Sequence, residues 1–451
     1  MMIITTIMGE ISLLILIGFF FFFSLYSFIE KEKRSFLRSF IIIIFFCILN
    51  IFLLFTPQQL KIWIFGSIFI LLTSVIVFLI FPPLKRKETE IQGIQIKIDE
   101  RDVIFSRFDY QEGTKIYEDY YTQRPEYKKR DEEIRKIPDI LSPYHIHKNP
   151  LLFSLADEEF HFLESQLDIV SGKVKQEKVE LSPRKNTQII KEAIKFLGSD
   201  LCGISLLNQA YIYSNVGRGP EPYGKNIELN HKYAITFAVE MDLEIIACAP
   251  QPPVIVETAK KYVEVAKISI ITANFIRSLG YPARAHIAGS NYQAVLPPIA
   301  AEAGLGELGR LGILITYKYG PRVRLGLVTT DLPLIPDEPK VLGIQNFCEK
   351  CQKCARNCPS QAIPYGEKIE ENGVLKWVLE REECYRFWRK SGTDCSVCVY
   401  VCPYSKASNA FHKFIRKMAE KSFLAQTMLV LGDDFFYGRT PKRRKTSLFN
   451  I

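Results

Sequence analysis

Eight of the eleven cysteines fall within 55 residues, in two runs that each end in Cys-Pro. The first is Cys348, Cys351, Cys354 and Cys358 before Pro359; the second is Cys384, Cys395, Cys398 and Cys402 before Pro403. No other feature constrains the fold as tightly, because thiols at this spacing must wrap a shared inorganic centre. The first run has the bacterial two-cluster ferredoxin spacing, in which the fourth cysteine of a run ligates the other cluster. Two [4Fe–4S] clusters then use all eight: Cys348, Cys351, Cys354 and Cys402 for one, Cys384, Cys395, Cys398 and Cys358 for the other. Structural zinc sites close with four ligands and need neither the Cys-Pro endings nor the staggered spacing. Disulfides fit worse, since the spacings are short and regular and nothing marks a small secreted scaffold. Cys47, Cys202 and Cys248 lie in apolar sequence and read as small core hydrophobes.

A chain of 451 residues is too long for a ferredoxin and should hold two or three domains. Its first 87 residues are a separate physical object. Ile11–Ile29, Ser39–Thr56 and Ile62–Leu84 read as three transmembrane helices, each nearly or fully long enough to span a bilayer. A cleaved signal peptide fits poorly, because no basic stretch precedes the first segment and two more apolar segments follow. Lys31, Lys33, Arg34 and Arg38 follow the first segment, Lys61 stands alone before the third, and Lys85, Arg86 and Lys87 come after it. Positive charge stays inside, so a multi-pass protein of the cell membrane with its catalytic domain in the cytoplasm is expected. The sequence has no twin-arginine export motif, which agrees with that placement. The net charge of +9 gathers beside these segments and in Lys442–Lys445, a pattern of lipid-facing or solvated charge without other signs of nucleic-acid binding.

Residues 88–150, rich in charge and tyrosine, read as a linker or docking segment. Residues 151–338 read as an α/β domain, 339–410 as the two-cluster ferredoxin-like domain, and 411–451 as a tail with one helix over His412–Met428. In the α/β domain, Thr187–Leu197 and Val254–Leu279 have helical spacing, the latter stopped by Gly280. Ala234–Val239, Glu244–Ala249, Ala283–Ala288, Ile313–Thr316 and Arg322–Thr330 read as strands. Glycine turns gather at Gly217–Gly219, Gly304–Gly309 and Tyr319–Pro321, where backbone can approach a ligand closely. Gly304–Gly309 has dinucleotide-fingerprint spacing but neither the strand-then-helix context nor the later ribose-binding acid. The six histidines show no metal spacing.

Several ordered segments resemble the corrinoid- and iron–sulfur-dependent reductive dehalogenases. They are Gly217–Gly224, Asn230–Asp242, Ala303–Gly312, Tyr319–Arg324 with Thr330–Pro333, and the second cysteine run with Trp388 and Gly392-Thr393-Asp394 inside it. The resemblance covers roughly residues 190–440. It implies a nitroreductase-like α/β core holding a cobamide with no protein ligand below cobalt; the histidine-ligand motif Asp-x-His-x-x-Gly is not in the sequence. Gly304, Gly306, Gly309, Arg310, Tyr319 and Gly320 become the implied cobamide contacts. Tyr262 matches the family's proton-donating tyrosine, and Arg324 matches the basic residue paired with it. Asn291 matches a pocket asparagine that bonds substrate or leaving group. A cation close to a phenol favours the phenolate and makes the phenol a better acid near neutral pH. By their residue types alone, Tyr262 is a packing residue on a helix, Arg324 a strand ion pair and Asn291 part of a turn.

The resemblance implies an oxidoreductase acting on an organohalide. Electrons from a ferredoxin, flavoprotein or quinol would pass through the clusters to cobalt, and hydrogen would replace halogen on carbon. An epoxyqueuosine reductase-like reaction shares the cofactors, but would be expected with an acidic proton donor and a tRNA-binding repeat domain for which the tail is too short. A membrane ferredoxin without corrinoid would leave the glycine-rich α/β domain unexplained.

Overall fold

The computed structural model describes residues 2–80, 95–145, 147–289 and 292–446. The chain divides into two compact units. One comprises Met1–Glu88, Glu349–Cys351 and Ala407–Pro441; the other comprises Thr89–Cys348, Gln352–Lys406 and Lys442–Ile451.

The larger unit is built on a four-stranded antiparallel sheet. Its strands are β1 (Leu201–Leu206), β2 (Tyr233–Glu240), β3 (Ala283–His286) and a longer strand at Val323–Thr330, numbered β6 because the short hairpin β4 (Gly306–Leu308) and β5 (Leu314–Thr316) precedes it. The order is β1-β2-β6-β3. β6 runs along all of β2, Tyr233 opposite Thr330 and Glu240 opposite Val323. Across this ladder Gly326 faces Phe237, and a Cβ at position 326 would stand 2.4 Å from the Phe237 ring. A glycine here lets the fully buried ring fill the sheet surface.

The helix Pro253–Ser278 covers one face of the sheet. Proline in its first turn costs no hydrogen bond, and Gly280 at φ 86° ends it in the left-handed conformation. Val265, Ala266, Ile268, Ala273 and Ile276 pack on Ile235, Phe237, Ala285 and Val328. The second expected strand of this region, Glu244–Ala249, is instead a helical turn at Leu243–Ile246. The Asp242 side chain caps it by accepting from the amides of Glu244 and Ile245, and this local bond outweighs the apolar run.

The tyrosine-rich segment folds into helices Ile104–Asp109, Lys115–Gln123 and Pro125–Arg135. The buried Arg107 explains it: its guanidinium lies 3.4 Å from Asp131 and 2.7 Å from Glu382, in the first turn of the helix Arg381–Ser391 that carries Cys384. Buried Tyr110, Tyr117, Tyr120 and Tyr121 form a cluster of their own.

The smaller unit contains helices Met2–Ile29, Lys33–Leu54 and Gln58–Ile80, with Ala410–Lys421 and Phe423–Phe436. Among the described residues, two stretches, Thr6–Ile29 and Lys33–Leu54, are long and apolar enough to cross a membrane, not the expected three. Side chains of the third helix are described only to Ser74. Its apolar stretch Gln58–Ser74, at 1.5 Å per residue, spans about 25 Å against a hydrocarbon core of about 30 Å. Cys47 is exposed on the second helix, which corrects its reading as a core residue; Cys202 is half-buried and Cys248 buried. The tail forms two helices, not one, because Ser422 breaks the run and caps the second through the Ala425 amide. These helices pack on the N-terminal ones. Phe411 stacks on Phe23 at 4.9 Å, His412 meets Glu30 at 3.1 Å, and Arg38 donates to the Phe435 carbonyl.

Candidate active site

The cysteine runs place their thiols on short helices entered through left-handed residues, Gln352 (φ 50°) before Lys353–Asn357 and Ser396 (φ 52°) before Val397–Val401. Such kinks let successive thiols turn inward instead of spiralling round a helix. Cys348, Cys351, Cys354, Cys395 and Cys402 are buried, and Cys358, Cys384 and Cys398 partly so. Burial pushes the thiols of Cys348, Cys384 and Cys395 up to about 12, and neighbouring cysteines add to it. The pattern of neighbours is informative. Cys384 feels Cys358; Cys395 feels Cys384 and Cys358; Cys398 feels Cys395, Cys384, Cys354 and Cys358. Cys358, Cys384 and Cys395 therefore lie near Cys398, and Cys354 of the other expected set lies near it as well. Cys348 and Cys354 of the other set are likewise neighbours. Thiols held this way stay protonated until iron displaces the proton. Among the described residues, no group of three or more His, Cys, Asp or Glu side chains is arranged to hold a single metal ion.

Tyr262 and Arg324 also come together. Tyr262 sits on the helix Pro253–Ser278 and Arg324 on β6, with the Arg324 guanidinium carbon 5.1 Å from the Tyr262 ring centroid. That contact is with the face of the ring. The Arg324 Nη2 donates to Thr258 Oγ1 at 2.8 Å and to Asp394 Oδ2 at 3.0 Å, and Thr258 Oγ1 donates to the same carboxylate oxygen at 2.6 Å. Thr258 is four residues before Tyr262 and therefore on the same helix face. Asp394 is the residue before Cys395. Sequence reasoning missed both, although Asp394 stood inside a quoted motif and Thr258 at helical spacing from Tyr262.

Tyr292 completes the group. Burial pushes its phenol well above the usual range, with Tyr262 raising it further while Arg324 and Arg218 pull it down. Arg218, in the loop Gly217–Gly224, lies over the Phe105 ring at 5.5 Å, and Phe105 meets Trp388 and Tyr385 at 5.9 and 5.8 Å. Asn291 lies outside the described residues. A cavity of about 610 Å³ is lined by Gln293 and Glu221, with Gln293 donating to Glu221 at 2.7 Å, and by Arg284, which donates to Ser171 at 2.8 Å; Tyr262 and Arg324 do not line it.

The residues expected to touch a cobamide are packed against protein. A Cβ on Gly304 would stand 2.7 Å from the Glu338 carbonyl, on Gly306 2.2 Å from the Ile315 carbonyl, and on Gly309 2.3 Å from the Ile315 side chain. Gly320, at φ 62°, lies against the Tyr404–Ser405 backbone. Buried Arg310 donates to the carbonyls of Cys348, Pro364 and Gly366 and stacks on Trp377 at 4.6 Å. Tyr319 donates to Asp200 at 3.2 Å. In this structure Gly320 and Arg310 join the α/β core to the cysteine module. Arg322, the neighbour of Arg324 on the strand, does the same: it bonds Glu240 and the Met241 carbonyl on one side and the Ser405 carbonyl at 3.3 Å on the other.

A family model described as a 4Fe-4S dicluster domain matches residues 347–406. The tetrachloroethene reductive dehalogenase of Sulfurospirillum multivorans is 32% identical over 303 residues, covering 59% of this chain and 60% of the relative. That of Dehalobacter restrictus is 31% identical over 321 residues, covering 59% and 58%. The chain thus spans about three fifths of the length of the curated relatives it matches. A solved catabolic reductive dehalogenase, NpRdhA, superposes with a TM-score of 0.62 at 24% identity, covering 80% of this chain and 50% of that one, and so shares its fold.

Proposed function

We propose that this homologue of the reductive dehalogenases is itself a membrane-anchored reductive dehalogenase. It would replace a carbon-bound halogen by hydrogen, taking up two electrons and one proton and releasing halide. The observation that carries the reading is the placement of Arg324 over the Tyr262 ring, next to the second cysteine run. In this reading the eight cysteines hold two [4Fe–4S] clusters, each passing one electron at a time. Tyr262 gives its proton to the carbon that loses the halide, and the Arg324 cation offsets the charge of the phenolate left behind.

The donor set suits a cobamide. Three buried polar atoms, Arg324 Nε, Asp394 Oδ1 and Arg218 Nε, have no hydrogen-bond partner among the described residues, and a macrocycle rimmed with amides offers both donors and acceptors to meet them. When bound, the cobamide supplies a low-valent cobalt that cleaves carbon–halogen bonds. Arg218, Tyr292 and Gln293 would hold it, while Gly304, Gly306, Gly309, Arg310, Tyr319 and Gly320 brace the walls around it. Asn291 would bond the substrate or leaving group.

The basic turn Lys31–Arg38 is placed on the cytoplasmic face, where positive charge remains. His412 and Phe435 of the tail meet Glu30 and Arg38 beside these basic residues. The electron donor is a ferredoxin, flavoprotein or quinol.

The test is halide release from chlorinated and brominated aromatics and alkanes by the anaerobically purified, cobamide-reconstituted chain with a low-potential dye. Tyr262→Phe should lower turnover by about 10²–10⁴-fold while leaving the cluster absorbance intact. Undiminished turnover would remove Tyr262 from the reaction.

A further inference from the structure

We propose that Asp394 is a positioning residue: its carboxylate, built into the second cysteine run, fixes Arg324 against the Tyr262 ring, so that the proton-donating pair is assembled only on a folded iron–sulfur module. This rests on the roles proposed above for Tyr262 and Arg324.

The argument begins with reach. An arginine on a strand can sweep a wide arc, and the ring contact at 5.1 Å does not by itself confine it. What confines Arg324 is a closed triangle of hydrogen bonds. Its Nη2 donates to Thr258 Oγ1 and to Asp394 Oδ2, and the Thr258 hydroxyl passes its own proton to that same Oδ2. The roles are mutually consistent, since a hydroxyl can accept one bond while donating another. Asp394 is buried, as is Thr258, so water competes little for these bonds. Thr258 comes from the same helix as Tyr262, one turn away, and so sets the carboxylate and the phenol ring in one frame.

The backbone on the other side is equally fixed. Cys395 and Ser396, which follow Asp394, are both left-handed at φ 59° and 52°. Non-glycine residues hold that conformation only where their surroundings enforce it. Thr393, before it, donates through its hydroxyl to the Pro250 carbonyl at 2.9 Å. The carboxylate therefore cannot drift without disturbing the chain at Cys395, and the geometry around that cysteine sets where Arg324 stands. The Ser396 hydroxyl, at 3.3 Å, is a further neighbour of the same oxygen.

The test is a double-mutant cycle on the full-length, reconstituted enzyme. Arg324→Gln and Asp394→Asn should each lower kcat by about a hundred-fold, the effect expected of misplacing a reacting group by an ångström. Both should leave KM within about twofold. The two variants should share one altered pH–rate profile, and the double variant should be no slower than Arg324→Gln. Iron content and the electron paramagnetic resonance signals of the reduced clusters should match the wild type in Asp394→Asn. Thr258→Val, which leaves the cysteine run untouched, should give a smaller fall on that same profile. The proposal is overturned if the effects of Asp394→Asn and Arg324→Gln multiply, if Asp394→Asn turns over normally, or if it loses a cluster signal, because Asp394 then serves the cluster and not the arginine. Normal turnover by Arg324→Gln overturns both this proposal and the tyrosine–arginine site beneath it, an outcome separable from the others by that single variant.

Discussion

Replacing Gly320 by alanine should separate the α/β core from the cysteine module. Gly320 sits at φ 62°, and a Cβ there would stand 2.5 Å from the carbonyl carbon and oxygen of Tyr404 and 2.8 Å from the Ser405 amide. These are backbone atoms two and three residues beyond Cys402, so no side chain can swing aside. The glycine itself cannot tilt away, because its carbonyl accepts from the Thr316 amide and hydroxyl and its amide donates to the Thr316 carbonyl. Left-handed backbone costs alanine roughly 1–2 kcal/mol. Moving the Tyr404–Ser405 backbone, part of the 3-10 turn Pro403–Ser405, outward by about an ångström, to ordinary contact distance, resembles overpacking a core and costs about 1–3 kcal/mol more. The sum, roughly 2–5 kcal/mol, is a large share of a total stability of about 5–15 kcal/mol. Urea unfolding followed by cluster absorbance should show the midpoint of Gly320→Ala lowered by about 1 M or more, with iron lost from the chain before the α/β core unfolds. An unchanged midpoint with full iron would refute the argument that this glycine joins the two modules.

Arg107→Met should destabilise the chain by about 3–5 kcal/mol, since it leaves the fully buried Asp131 without its cation; chemical denaturation of the variant against Arg107→Met/Asp131→Asn should show partial recovery. Glu159 supplies a pH test. Burial raises its carboxyl to about 7, with Glu257 and Glu264 adding to the shift and Lys260 opposing it. Between an unfolded value near 4.5 and the folded value near 7 the folded state holds more protons, so this residue's contribution to stability falls as pH rises through that window. The melting temperature of Glu159→Gln relative to wild type should therefore climb from pH 5 to pH 8, and a pH-independent difference would show that the group titrates normally.

The parts of the site that sequence made legible are those whose geometry is carried by spacing. The short separations within the two cysteine runs leave the thiols few places to go, and Cys354, Cys358, Cys384 and Cys395 all lie near Cys398. The helix carrying Tyr262 was readable from its periodicity and its Gly280 stop, to within a residue at each end. Other features depend on partners far away in the chain. Nothing local to Asp394 says that its carboxylate meets an arginine 70 residues earlier. The charged segment around Arg107 looks like a linker until Glu382, 275 residues on, is placed beside it. The close approach of Arg310 to the Cys348 carbonyl and of Gly320 to the Tyr404 backbone likewise depends on partners far along the chain. Glu244–Ala249 failed for the opposite reason: a local capping bond at Asp242 overrode the apolar pattern.

Metal analysis of the anaerobically purified chain, after reconstitution with iron, sulfide and a cobamide, tests the central claim most directly. Two clusters beside a bound corrin predict about eight iron atoms and one cobalt per folded chain, with the cobalt retained through gel filtration. Full iron with no retained cobalt would contradict the account and leave the protein as an electron carrier.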